Sequence, residues 1–291
     1  MELQKNSIKP LIWVLALSFF FFFLFLGFSS WLYLFYLPDK KIGIFASKKW
    51  SSLEKGIGLV EVKGSILESK KVIAQLEHFK ANAQVKAIVL RLDSPGGAIA
   101  PSQEIYQALK TYPKPVVTSM SNLATSGAYY IALGTQKIFA NPGTFTGSIG
   151  VIMHFVNLEK LYEWIKVDHY AVKSGPYKDL GANYRRMSSE EHLILEEIAN
   201  DILSQFKEVI VERRQLSQEQ VNRIADGRIF SGRQAQKLGL IDELGSFNDA
   251  IRAAADLGGI KGQPTLIKKP HAQSWKKLNK WKKMLLLLNE I

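Results

Sequence analysis

A chain of 291 residues, 47% of them apolar, can bury a full core, and the lack of any cysteine excludes disulfides, thiolate metal sites and a cysteine nucleophile. The net charge of +12 would suit a phosphate-tracking surface, but it sits on the tails. Residues 1–49 hold six lysines against two acids and residues 268–291 seven against one, which leaves 25 basic and 23 acidic side chains in the body. No nucleic-acid partner is indicated, and such tails suit membrane lipid.

Residues 1–10 form a short N-terminal tail. From Leu11 to Leu37 every residue is apolar, small or Tyr, with Phe19 to Phe23 in a row. About 20 apolar residues cross a bilayer, so this run suffices with some tilt. Trp13, Trp31, Tyr33 and Tyr36 lie towards its ends, where amphipathic rings favour the interface. The run is too long for a cleavable signal peptide and no small-x-small site closes it, so a retained transmembrane anchor over 11–37 is expected. Lys5 and Lys9 precede the span and Lys40, Lys41, Lys48 and Lys49 follow it, so charge alone leaves the orientation open.

A Lys-rich linker, 38–56, leads into a body over 57–260 in which β-branched runs alternate with amphipathic stretches. Strands are predicted at 57–62, 86–92, 116–120, 137–141, 151–155 and 167–172, and helices at 68–80, 99–112 and from about Ser126. A long helix over 188–214 opens with a Ser188–Glu191 capping box and carries Ile194, Ile198, Ile202, Phe206 and Val209 as its buried face. Shorter helices follow near 231–238 and 246–257. Strand–helix alternation implies parallel strands and an α/β fold. The tail over 261–291 can align Trp275, Leu278, Trp281, Leu285 and Leu288 on one face, with lysines largely elsewhere. It reads equally as a helix lying on a membrane, a segment packed on a neighbouring subunit, or a disordered one.

Three glycine-rich turns follow strands or open helices, where sites of parallel α/β proteins lie. The first is Ser94-Pro95-Gly96-Gly97, whose amides can approach a ligand closely, although alone it reads as a tight turn. The second runs Ala124-Thr125-Ser126-Gly127-Ala128. A serine flanked by small residues has an open Oγ, and the Gly127 N–H would point at the same substrate oxygen; alone, Ser126 reads as a helix N-cap. The third is Asn141 to Gly150 and includes Ser148. Further on, Lys178 precedes Asp179, a pair that alone reads as a surface ion pair.

Together these segments resemble the signal peptide peptidase A family, short bacterial form, within the caseinolytic-protease/crotonase fold. The resemblance runs from Gly58 to about Leu257. It is carried by S-P-G-G, T-S-G-A-Y-Y-I-A, P-G-T-F-T-G-S-I-G-V-I-M, K-S-G-P-Y-K-D and A-D-G-R-I-F-S-G-R-Q-A-Q-K-L-G-L-I-D-E-L-G in that order, with 52 residues from serine to lysine. Ala98 stands where the family usually has a third glycine, Asp93 where Asn is frequent, and Thr125 to Ala128 where Ala-Ser-Gly-Gly is frequent. The resemblance implies a spiral of β-β-α units. It implies Ser126 as nucleophile, Lys178 as general base, Gly97 and Gly127 as oxyanion-hole amides, and Ser148 as the residue that orients the lysine. It also implies no cofactor, peptide remnants of signal sequences as substrates, and a homo-oligomeric ring in which serine and lysine come from neighbouring protomers. The catalytic body would lie outside the cytoplasm, on the bacterial inner membrane.

A lysine ordinarily titrates near ~10.4 and must lose its charge to act as a base, which burial favours. Asp179 is therefore expected to point away from Lys178, and the lysine amine to contact the Ser126 and Ser148 hydroxyls. His78, His154, His169, His192 and His271 are available as rival bases, but none lies in a triad motif. Two other functions remain. A crotonase-like acyl-CoA enzyme would need carboxylates in its cleft, and a non-catalytic membrane scaffold would tolerate loss of Ser126.

Overall fold

A computed structural model describes Ser18, residues 22–25, Phe28 and residues 55–268. The chain divides into two units, residues 1–52 and 53–291. In the first, Ser18, residues 22–25 and Phe28 are helical and exposed; the rest of the expected anchor lies outside the described residues. Among the described residues no helix is long and apolar enough to cross a membrane.

The second unit opens with β1 (Gly56–Lys63), α1 (Lys70–Ala81), β2 (Val85–Ser94), α2 (Ile99–Lys110) and β3 (Val116–Thr125). The three strands pair in parallel in the order β3-β2-β1. Their near-continuous apolar sequences fit a sheet covered on both faces. Val60 and Val62 of β1, with Ile88, Leu90 and Leu92 of β2, meet Leu76 and Phe79 of α1 and Ile105 and Leu109 of α2. The alternate residues Ile57, Leu59, Ala87 and Val89 meet Ala250, Ala254 and Ala255 of α8 (Phe247–Leu257) on the other face.

β3 runs to Thr125, five residues beyond its predicted end, and its two halves have different partners. Val117 to Ser119 pair with β4 (Lys137–Ala140), and Leu123 to Thr125 pair with β5 (Phe145–Gly147). β5 also pairs, antiparallel, with β6 (Ile229–Ser231), and β4 pairs with β7 (Glu243–Leu244). The short α3 (Gly127–Ala132) leaves the end of β3 directly. The remaining helices are α4 (Glu159–Trp164), α5 (Ser189–Arg214), α6 (Gln218–Ile224) and α7 (Gly232–Lys237).

Three expectations need correction. First, 151–155 and 167–172 are not strands. Their β-branched and aromatic residues have strand propensity, but no strand of the described residues pairs with them, and propensity without a partner does not make a sheet. Their apolar side chains face outward instead: Ile152, Phe155, Tyr170 and Val172 are exposed, as is Trp164 between the two segments.

Second, only part of the predicted face of α5 is buried. Of the predicted face Phe206 is in the core, Ile194, Ile202 and Val209 are half-buried and Ile198 is exposed; Ile210, which lies outside that prediction, is fully buried. This helix of 26 residues is ~39 Å long, and its fully buried apolar residues lie in its C-terminal half, where Phe206 meets Tyr129 and Tyr130 of α3. The capping box at its start forms as expected.

Third, the sheet continues past residue 260: β8 (Thr265–Lys268) pairs in parallel with β1. Residues 269–291, with the predicted amphipathic face and His271, lie outside the described residues.

Candidate active site

The fork of β3 places its last residue at a branch point. Ser126 N donates to Gly147 O at 2.8 Å, which locks the turn onto β5, and α3 begins one residue later. Ser126 adopts φ 53° and ψ −123°, a backbone region that costs a non-glycine residue of order 1–3 kcal/mol. Its side chain does not cap α3, and Ser126 Oγ bonds to no group among the described residues. The N-cap reading therefore fails on geometry. A strained, sharply turned serine between strand and helix, with an unengaged hydroxyl, is the arrangement that presents a nucleophile.

The first glycine turn lies against this serine. A Cβ on Gly96 would sit 2.7 Å from Gly127 N and 2.9 Å from Ser126 Cβ, so only glycine admits the approach. Gly97 is bridged to Ile66: Ile66 N donates to Gly96 O at 2.8 Å and Ala98 N donates to Ile66 O at 2.7 Å. That pattern leaves the Gly97 N–H unused. The Gly127 N–H, first in its helix, is likewise free of any described partner. A Cβ on Gly127 would lie 3.4 Å from Gly97 N, so the two amides share one small region beside Ser126. Ala98 has an ordinary extended backbone (φ −62°, ψ 139°), so the absence of a third glycine distorts nothing.

A cleft opens there. Ser126, Gly127 and Tyr130 form one side; Gly97, Ile99, Ser102 and Gln103 a second; Gly150, Val151, Ile202 and Phe206 close it. No lining residue is charged. An acyl-CoA enzyme would need carboxylates here, so the lining disfavours that function.

Lys178 is absent from the lining and is exposed, and its amine bonds neither Ser126 nor Ser148 within the chain. The expected lysine contacts are thus not made inside one subunit. Ser148 is half-buried, with φ 50°, one residue beyond the Gly147 that pairs with Thr125; its N–H donates to Arg228 O at 2.8 Å. Asp179 behaves as expected. Its carboxylate accepts from Lys173, Tyr184 and Arg185 and not from Lys178. Of the histidines, His78, His154, His169 and His192 line no part of the cleft; His169 stacks on Tyr184 at 4.0 Å and His192 faces Glu196.

The sequence reading missed Ser102, Gln103 and Tyr130, and took Ile202 and Phe206 only as core positions. Gln103 Nε2 donates to Gln205 Oε1 at 2.9 Å, and Gln205 Nε2 to Asp201 Oδ2 at 2.9 Å, which ties α2 to α5 at the cleft wall. The available signal was position: Ser102 and Gln103 lie in the first turns of a helix that starts directly after the Gly96-Gly97 turn.

The profile of Peptidase family S49 matches residues 108–261, more than half of the chain, and that of Clp protease matches residues 58–144. The chain belongs to peptidase family S49. As an S49 member it is a serine protease, and its mixed α/β sheet fits the Clp protease likeness. A Synechocystis sp. protein named as a candidate protease is 42% identical over 213 residues, 72% of this chain and 77% of that one. An Enterococcus faecium protein named as a candidate signal peptide peptidase, SppA, is 37% identical over 62% of this chain and 53% of its own. The chloroplastic serine protease SPPA of Arabidopsis thaliana is 32% identical over 72% of this chain, which spans 31% of that protein.

Proposed function

We propose that this S49 member is a membrane-anchored endopeptidase that degrades remnant signal peptides through a serine–lysine dyad shared between subunits. The observation that carries the reading is Ser126 itself: strained, uncapped, and next to two unengaged amides at the mouth of an apolar cleft. Ser126 Oγ attacks the peptide carbonyl carbon as its proton passes to the Lys178 amine. The Gly97 and Gly127 N–H groups receive the oxyanion; one such donor is typically worth ~2.7–4 kcal/mol in the transition state. The C–N bond breaks, the lysine protonates the leaving amine, and water then releases the acyl group by the reverse route. Ser148 orients the lysine.

The uncharged lining supports a base supplied from outside the subunit, because no described side chain at the cleft can accept the serine proton. Exposed apolar residues on the segment that carries Lys178, Trp164 and Tyr170 among them, support a neighbouring copy as its source. A closed ring of β-β-α spiral domains, with identical heterologous contacts, satisfies both conditions. The apolar run over 11–37 supports the anchor; its described apolar residues, Phe22, Phe23, Leu24, Phe25 and Phe28, present exposed side chains. By the same reading the catalytic body lies outside the cytoplasm at a bacterial inner membrane. The signal peptide peptidase name of the Enterococcus faecium relative supports the substrate class.

Ser126→Ala should lower kcat on an apolar fluorogenic peptide about a thousandfold or more, with an unchanged thermal midpoint. Retained hydrolysis by that variant would favour the scaffold function instead.

A further inference from the structure

Lys178 is followed at once by a carboxylate, and a counter-ion within ~4–6 Å would keep its amine charged and useless as a base. Asp179 is instead saturated by other donors. Its Oδ1 accepts from Lys173 Nζ at 2.7 Å and Arg185 Nη2 at 2.7 Å, and its Oδ2 from Tyr184 OH at 2.8 Å and Arg185 Nε at 3.0 Å. The side chain is only 11% exposed. Arg185 faces two ways. Its Nη1 and Nη2 also donate to Glu191 Oε2 at 2.8 Å and Oε1 at 2.5 Å, and Glu191 accepts from Ser188 N at 2.8 Å as the capping-box partner of α5. The Lys178 loop is thereby fastened to the head of the long helix. Lys173 Nζ also donates to Pro176 O at 3.3 Å, and Lys178 N to Gly175 O at 3.3 Å, which closes the loop on itself.

We propose that Arg185, with Lys173, is a positioning residue for the reaction: it sequesters the Asp179 carboxylate and anchors the loop, so that the Lys178 amine projects without a counter-ion. This inference rests on Lys178 being the base. Among the described residues no carboxylate lies within ion-pair distance of Lys178. The charged and titratable groups around Asp179 are Lys173, Arg185 and Tyr184, with Glu191 beyond Arg185, His169 stacked on Tyr184, and the exposed Arg186–Glu159 pair. Hydrogen bonds from Arg185 and then Lys173 hold the Asp179 carboxyl far below the usual range. Those from Arg185 and the Ser188 N–H hold Glu191 down to about 2. Both therefore stay ionised, and Arg185 stays engaged, wherever the enzyme would work.

The test is the pH dependence of kcat/KM for the full chain in detergent or vesicles, on one apolar fluorogenic peptide. Arg185→Met removes both Arg185 hydrogen bonds to the Asp179 carboxylate and the tie to Glu191, which leaves the carboxylate less neutralised beside the lysine and should move the acid limb of the profile up by about one unit. Asp179→Asn removes the charge and should leave the limb in place or move it down. The double variant should follow Asp179→Asn, and Arg185→Lys should fall between wild type and Arg185→Met. A purely structural role would lower kcat without these opposed displacements. An unmoved limb in Arg185→Met, or an upward shift that persists in the double variant, would overturn the proposal. If Arg185→Met fails to assemble, an upward shift in Asp179→Asn overturns it alone. Lys178→Ala run alongside separates the two layers: activity there sinks the dyad, whereas a dead Lys178→Ala beside a wild-type profile in Arg185→Met sinks only the clamp.

Discussion

Gly97 and Ser126 do their work through backbone geometry as much as through side chains. A methyl group on Gly97 would meet the Ile66 backbone oxygen, with Ile66 N at 2.6 Å and Ile66 C at 2.8 Å. Gly97→Ala must therefore break the bridge to Ile66 and swing its amide away from Ser126. The variant should lose about 1–3 kcal/mol of stability from overpacking and about 10²–10³ in kcat from the displaced donor. Gly143→Ala, where a Cβ would meet nothing within 4 Å, should change neither thermal midpoint nor kcat. The glycine turns were legible in the sequence because their chemistry is local: two or three consecutive residues specify a close approach. The strain at Ser126 was not, since nothing in Thr-Ser-Gly announces a positive φ at the serine; that follows from β3 continuing to Thr125 and pairing with β5.

The long helix α5 separates what periodicity can and cannot tell. Its apolar stripe and capping box were plain, but how much of the stripe would be covered depended on where the sheet ends. Ile210 is fully buried and Ile198 is 45% exposed. Ile210→Ala should cost about 2–5 kcal/mol in chemical unfolding of the dispersed subunit, whereas Ile198→Ala should stay within about 0.5 kcal/mol. Equal losses at both sites would mean that the helix packs along its whole length. The false strands at 151–155 and 167–172 have the same origin. β-branched and aromatic residues there follow the strand pattern, yet the edge beyond β5 is already taken by β6. Their apolar faces turn outward, a pattern that a single-chain reading converts into a buried strand.

Within one subunit Ser126, the Gly97 and Gly127 amides and the apolar cleft are together, and Lys178, the proposed base, is not among the cleft residues. The order of motifs along the chain was readable, and a site shared between neighbouring copies entered only through the family resemblance, because sequence spacing carries no information on which copy would donate Lys178. A domain that exposes Trp164 (80%) and Tyr170 (85%) in the stretch of chain leading to Lys178 has surface left to bury, and a heterologous contact between copies would bury it while completing each proposed site. Mixing Ser126→Ala with Lys178→Ala subunits and assaying peptide hydrolysis tests this directly. The shared dyad predicts that two inactive preparations regain activity when co-assembled, with roughly a quarter of sites intact in a random mixture. No hydrolysis from assemblies verified to contain both variants would contradict it.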